Sequence, residues 1–195
     1  MSKKEFNELM KIKGEAWGMG MKQFVGYIVA EHGEEGLKKL EDTMAELGYP
    51  VKYREIGMAD YYPLKLLAVS LPVIKRLFNY DDKKLQEFGK SQIKFPLIIR
   101  LIVRYFLSVE RFSKEFPRLW RKGFTVGDIE IAELDKEKKY MIVRLKNFRI
   151  HPTHCPIFKG NLSMIVQIMV GSETTCEETK CLHRGDEYHE FLVKW

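Results

Sequence analysis

The hydrophobic period of this chain first changes near residue 124, and that change limits the folds open to it. Upstream, apolar residues recur at threes and fours. Downstream they alternate, apart from one helical stretch. The first spacing buries one face of a helix and the second buries one face of a strand. A chain that runs helices first and strands afterwards segregates the two, which predicts the α+β class.

In the helical part, residues 1–123, Trp17 to Glu31 places Trp17, Met21, Phe24, Val25, Ile28 and Val29 on one stripe. Gly33 and Gly36 punctuate it. A second helix, Glu34 to Leu47, is stopped by Gly48 and Pro50. The stretch YPVKYREIG, residues 49–57, reads as a short extended piece. Pro63 reads as the first residue of a helix reaching Phe78, which Pro72 should kink or split. Asp81 or Asp82 caps a short helix to Phe88, and Pro96 opens another through Leu107. Ser108 caps the last, which runs to Lys122 and which Pro117 can break.

In residues 124–195, Asp128 to Leu134 and Tyr140 to Phe148 alternate around a polar turn at Lys136 to Lys139, a β-hairpin. Cys155 to Val170 returns to helical spacing through Phe158, Leu162, Ile165, Val166 and Met169, and Gly171 ends it. Thr174 to Leu182 and Tyr188 to Val193 form a second hairpin around Arg184-Gly185-Asp186. The expected architecture is an N-terminal helical layer followed by a ββαββ antiparallel sheet unit with one crossing helix. The two parts read as one compact domain.

Composition narrows the function classes. Of 195 residues, 45% are hydrophobic, enough for a sizeable core. The N-terminus lacks the apolar core of a signal peptide. The longest apolar run, Ile93 to Leu107, is 15 residues long and carries Arg100 and Arg104, too short and too charged to cross a bilayer. Three cysteines form no disulfide framework. A cytoplasmic, reducing location is expected, where thiols serve as metal ligands or buried apolar groups. The net charge of +6 is spread along the chain. No helix-turn-helix, zinc-finger or RNA-binding signature accompanies it, so nucleic-acid binding is not expected. Membrane contact would fall to the basic helix carrying Arg100 and Arg104, with Arg111 and Lys114 following it, and is not the expected role.

The chemistry concentrates in CEETKCLHRGDEYHEF, from Cys176 to Phe191. Together with the upstream Cys155 it offers Cys155, Glu178, Cys181 and His189, a thiolate, carboxylate and imidazole set that can close a tetrahedral zinc site. Cys155 stands at a helix N-terminus, where the dipole favours a thiolate. Parity opposes the set: Glu178 and Cys181 are three apart, so on a regular strand they face opposite sides. Both can reach one ion only if the strand ends or bulges between them. Cys176 shares a side with Glu178 and is the alternate ligand; Cys155 and Cys176 can equally be small buried apolar groups.

The same run resembles the end of the 4-vinyl reductase, or hydrocarbon-binding, domain family: a glutamate, two residues, a cysteine, a glycine in the turn, then a metal-binding residue and an aromatic. These are Glu178, Cys181, Gly185, His189 and Phe191, with histidine at 189 where aromatic-sensing members carry cysteine. The resemblance covers about Phe124 to Trp195 and is diffuse upstream, where the chain looks like the wider superfamily of heme-dependent nitric-oxide sensors and transport-particle subunits. It implies a non-enzymatic sensory domain that holds a small hydrophobic or aromatic molecule between helices and sheet, braced by structural zinc, as a homodimer passing its signal to a partner protein. Phe95, Ile98, Ile99, Ile102 and Phe106 form one candidate lining, Phe112, Phe116 and Trp120 another, with Tyr105 and Tyr140 as polar anchors; helical aromatic stripes also fill cores. The alternative is a dimerising scaffold of transport-particle type with a permanently filled tunnel. A heme gas sensor is a weaker one, and heme is not expected: Tyr140-Met-Ile-Val-Arg144 has the ends of the propionate motif without its serine, and the helical part holds only His32. No nucleotide-binding glycine loop or nucleophile–base pair supports an enzyme.

Overall fold

The computed structural model describes residues 1–94 and 108–195. The helix expected from Pro96 to Leu107 lies outside them, and with it Phe95, Ile98, Ile99, Ile102, Tyr105 and Phe106. The class is α+β, helices first and an antiparallel sheet with one helix after.

Helix α1 (Lys3–Met10) starts at a reciprocal cap: Ser2 Oγ accepts from Glu5 N at 3.1 Å and Glu5 Oε2 accepts from Ser2 N at 3.3 Å. Two three-residue strands that the sequence did not announce, β1 (Glu15–Trp17) and β2 (Tyr61–Pro63), pair antiparallel. They bracket α2 (Gly18–Glu46), which is two helices joined across Gly33, at φ 69°. That backbone geometry is open to glycine and strained for most other residues. The expected extended piece at 49–57 is instead a single 3-10 turn, Tyr53–Glu55. Tyr53 is fully buried there and hydrogen-bonds Ser70 at 2.7 Å, and Glu41 accepts its backbone N–H. Tertiary contacts overrode the local extended pattern.

Helix α3 (Leu64–Leu77) begins one residue later than expected, after Pro63, and runs unbroken through Pro72. Leu71, Pro72, Val73 and Ile74 are all buried, so core packing holds the helix where the proline withdraws a hydrogen bond. Asp81 Oδ1 accepts from Lys84 N at 2.7 Å and caps α4 (Asp82–Lys94), which continues past the expected end at Phe88. Ser108 caps α5 (Val109–Gly123), accepting from Arg111 N at 3.2 Å, and that helix also passes through its proline, Pro117. No described helix is long and apolar enough to cross a membrane.

Strands β3 (Asp128–Asp135), β4 (Tyr140–Lys146), β5 (Thr175–Lys180) and β6 (His189–Lys194) form one sheet in the order β3-β4-β6-β5. Helix α6 (His154–Val170) separates the two hairpins in sequence. On the sheet's inner face Met141, Val143, Leu145, Phe191 and Val193 are buried at 1% exposure or less. Phe158 of α6 meets Phe191 edge-on, ring centres 5.1 Å apart. The opposite flank of α6 lies on α4 at a crossing without side chains. A Cβ on Gly89 would stand 2.0 Å from the Ile157 carbonyl oxygen, and one on Gly160 2.1 Å from that of Gln86. Helix α6 is thus buried between sheet and helical layer. Trp120 ties α5 to the sheet part: its indole N–H reaches the carbonyls of Val126 (3.2 Å) and Gly127 (3.1 Å), and its ring packs on Phe124, Phe148 and Phe158.

Candidate metal centre

The side chains of Cys155, Glu178, Cys181 and His189 converge, with their ligand atoms all within 4.8 Å of one another. Cys155 sits in the first turn of α6. His189 opens β6, opposite Leu145 of β4. The parity obstacle is removed by a bulge. Strand β5 pairs Glu178 with Phe191 and Lys180 with Glu190, so it spends one residue more than β6 over the same span. The extra residue turns Cys181 to the side on which Glu178 already lies.

The turn is built around Cys181. Its N–H donates to Asp186 Oδ2 at 2.7 Å, and its carbonyl accepts from Arg184 N (2.9 Å) and Asp186 N (3.2 Å). Gly185 closes the 3-10 turn Leu182–Arg184 at φ 101°. Cys155 Sγ lies 3.9 Å from both Cys181 Sγ and His189 Nδ1, and His189 Nδ1 lies 2.9 Å from Glu178 Oε1. Zinc–sulfur bonds of about 2.3 Å give a tetrahedral edge of about 3.8 Å, which the sulfur separation matches. The nitrogen–oxygen edge is shorter because those two groups hydrogen-bond directly.

Burial sets the electrostatics. Exposure is 6% at Cys155, 4% at Cys181 and 3% at His189, and the Glu178 side chain is 9% exposed. Burial pushes the Cys155 thiol well above the ordinary range, and the neighbouring Glu178 and Cys181 add to the shift. Burial also opposes the Glu178 charge, but hydrogen bonds from His189, Cys155 and Cys181 outweigh it and lower its pKa. Arg184 stands 3.6 Å from Glu178 Oε2. Burial, with His189 nearby, drives His154 down to about 3 and His183 to about 4. This is the one such donor cluster among the described residues, and Cys176 is not in it. Cys176 pairs with Val193, its thiol pushed up to about 12 by burial.

The remaining sequence candidates lie elsewhere. Phe112, Phe116 and Trp120 are buried, with the Phe112 and Phe116 rings 4.4 Å apart. Tyr140 alternates with the inward Met141 and Val143; its hydroxyl donates to Glu133. Arg144 pairs with Glu190 at 2.7 Å. His32 is hydrogen-bonded to Tyr80 at 2.7 Å and stacked on Phe78. A pocket of about 170 Å³ that the sequence did not flag opens where α2, α3 and α4 meet α6, with His154 and Asn161 in its wall.

No family model matches the sequence, and no curated protein matches it. Solved structures do. An H-NOX protein from S. oneidensis in the Fe(II)NO ligation state superposes with a TM-score of 0.64 at 15% identity, over 91% of this chain and 98% of its own. A doubly substituted Tt H-NOX gives 0.65 at 12% identity, over 94% and 95%. The Fe(II) unliganded H-NOX protein from K. algicida gives 0.60 at 12%, over 94% and 96%. The likeness is one of fold, and it spans both the helical and the sheet part.

Proposed function

We propose that this chain is a non-enzymatic sensory domain of the 4-vinyl reductase kind, which binds a small molecule and carries one structural zinc ion at Cys155, Glu178, Cys181 and His189. The observation that carries the reading is the closed set of four donors, three of them on buried residues and Glu178 half-buried. Two sulfurs and an imidazole select zinc over magnesium or calcium, which take oxygen. Four protein ligands leave no open position for a reacting water, so the ion braces and does not catalyse. It would tie α6 to the β5–β6 hairpin. Two thiolates and a carboxylate around Zn²⁺ carry a formal charge of 2 − 3 = −1, and Arg184 is placed beside Glu178 to offset it. The sensing half of the reading draws support from the fold shared with H-NOX proteins and from the pocket beside α6. Homodimerisation and output through a partner protein belong to the same proposal.

Elemental analysis with native mass spectrometry tests it. One zinc per chain is expected, and Cys181→Ala should lose zinc and melting temperature together, because binding and folding are coupled. A chain that holds no zinc and takes up none when it is added refutes the proposal. A Soret band in the purified protein would put heme in place of the zinc-braced reading.

A further inference from the structure

The pocket beside α6 has a wall chemistry unlike a plain apolar slot. Most of it is apolar, as at Met21, Leu67 and Leu71. Three carboxamides also line it: Gln23 from α2, Gln92 from α4 and Asn161 from α6. Asn161 Oδ1 is buried without a hydrogen-bond partner. Among the described residues, neither glutamine side chain hydrogen-bonds to the protein. Among the described residues, no Asp, Glu, Lys or Arg lines the pocket.

A buried acceptor without a partner is costly, and native proteins rarely keep one without a reason. The buried Asn161 oxygen and two half-buried glutamine amides, from three different helices around one hollow, supply that reason. Each amide presents a donor beside an acceptor and rotates readily about its last torsion. Such groups read the edge of a planar molecule that itself shows a donor beside an acceptor. The described lining, apolar and amide, suits a neutral ligand. An apolar cavity of roughly 150 Å³ accepts benzene, so about 170 Å³ suits a one-ring molecule.

We infer that this pocket binds a small neutral planar molecule with an amide-like edge, and that Asn161, Gln23 and Gln92 recognise that edge. The inference rests on the sensory reading above and names its ligand class. Calorimetric titration of the zinc-loaded chain with benzamide, acetophenone and cumene tests it. The three have nearly the same shape and lose first the donor, then the acceptor. Benzamide should bind, acetophenone about tenfold more weakly for one lost hydrogen bond, and cumene more weakly still. Asn161→Leu should weaken benzamide and flatten the ranking. It should also raise the ligand-free melting temperature, since it removes the unpaired acceptor. Gly20→Leu, at a rim position where an added Cβ meets nothing within 4 Å, should weaken all three. Equal affinities would overturn the inference in favour of a simple apolar slot. No binding by any of them to a chain that holds its zinc would also overturn it, and would leave the zinc brace standing.

Discussion

Replacing Gly160 by alanine measures the side-chain-free crossing of α4 and α6. The new Cβ would stand 2.1 Å from the Gln86 carbonyl oxygen and 3.0 Å from the Lys90 nitrogen. A relaxed carbon–oxygen contact is about 3.3 Å, so the helices must part by about 1.2 Å. The atoms in the way are backbone, so no rotamer change can relieve the clash. Overpacking of this kind costs up to about 3 kcal/mol, and better helix propensity returns about 1 kcal/mol. The net loss is about 2 kcal/mol, which for a chain of this length lowers the melting temperature by roughly 4–8 °C. Gly26 is the internal control. It is exposed in α2, and a Cβ there meets nothing within 4 Å. Gly26→Ala should therefore raise the melting temperature by roughly 2–4 °C. Thermal unfolding followed by circular dichroism reads both. A Gly160→Ala chain that melts at or above the wild type would sink the reasoning.

Cys176→Ser should keep one zinc per chain where Cys181→Ala loses it; equal loss from both would move the site along β5. Bound zinc should dissociate as the pH falls, because protons compete for the thiolates, and a zinc-chelating dye followed across an acid titration reports the release. Glu5 links α1 to Arg76 of α3 at 2.7 Å and to His151 at 3.1 Å. Burial opposes its charge, but the bonds to Arg76, His151 and the Ser2 backbone prevail and lower its pKa. A lowered carboxylate stabilises above its unfolded value of about 4.3 and loses that stability as the pH falls through the folded one. Glu5→Gln should thus melt below wild type at pH 7, by an amount tempered by partial exposure, and the gap should close as the pH falls through the folded pKa; a constant gap would refute the linkage.

Much of the sheet part was legible because its signals are local. The alternation of Met141, Val143 and Leu145 reports one buried face, and Gly171, at φ 73°, ends α6 where the sequence put the stop. The four donors could be named from spacing and resemblance, yet whether Glu178 and Cys181 share a side depended on where the β5 ladder slips, and no residue between them signals that. Pro72 and Pro117 misled because burial outweighed a missing hydrogen bond in each helix. Strands β1 and β2 are too short to show a period. The pocket was hidden for a different reason. Gln23, Gln92 and Asn161 are ordinary helix polar residues in sequence, and only packing makes them neighbours.

The bulge in β5 reaches beyond the metal cluster. Among the described residues, strand β5 is one edge of the sheet and β3 is the other, and each carries a register shift, at Glu178/Lys180 and at Ile131/Glu133. The inner pair, β4 and β6, runs in regular register. An open edge is a template on which another chain can continue the ladder, and a bulge interrupts that template. Both edge strands of this sheet are thus spoiled for pairing with a second molecule, and Glu177, exposed on β5, adds charge there. The distortion that brings Glu178 and Cys181 together also guards the protein against edge-to-edge aggregation.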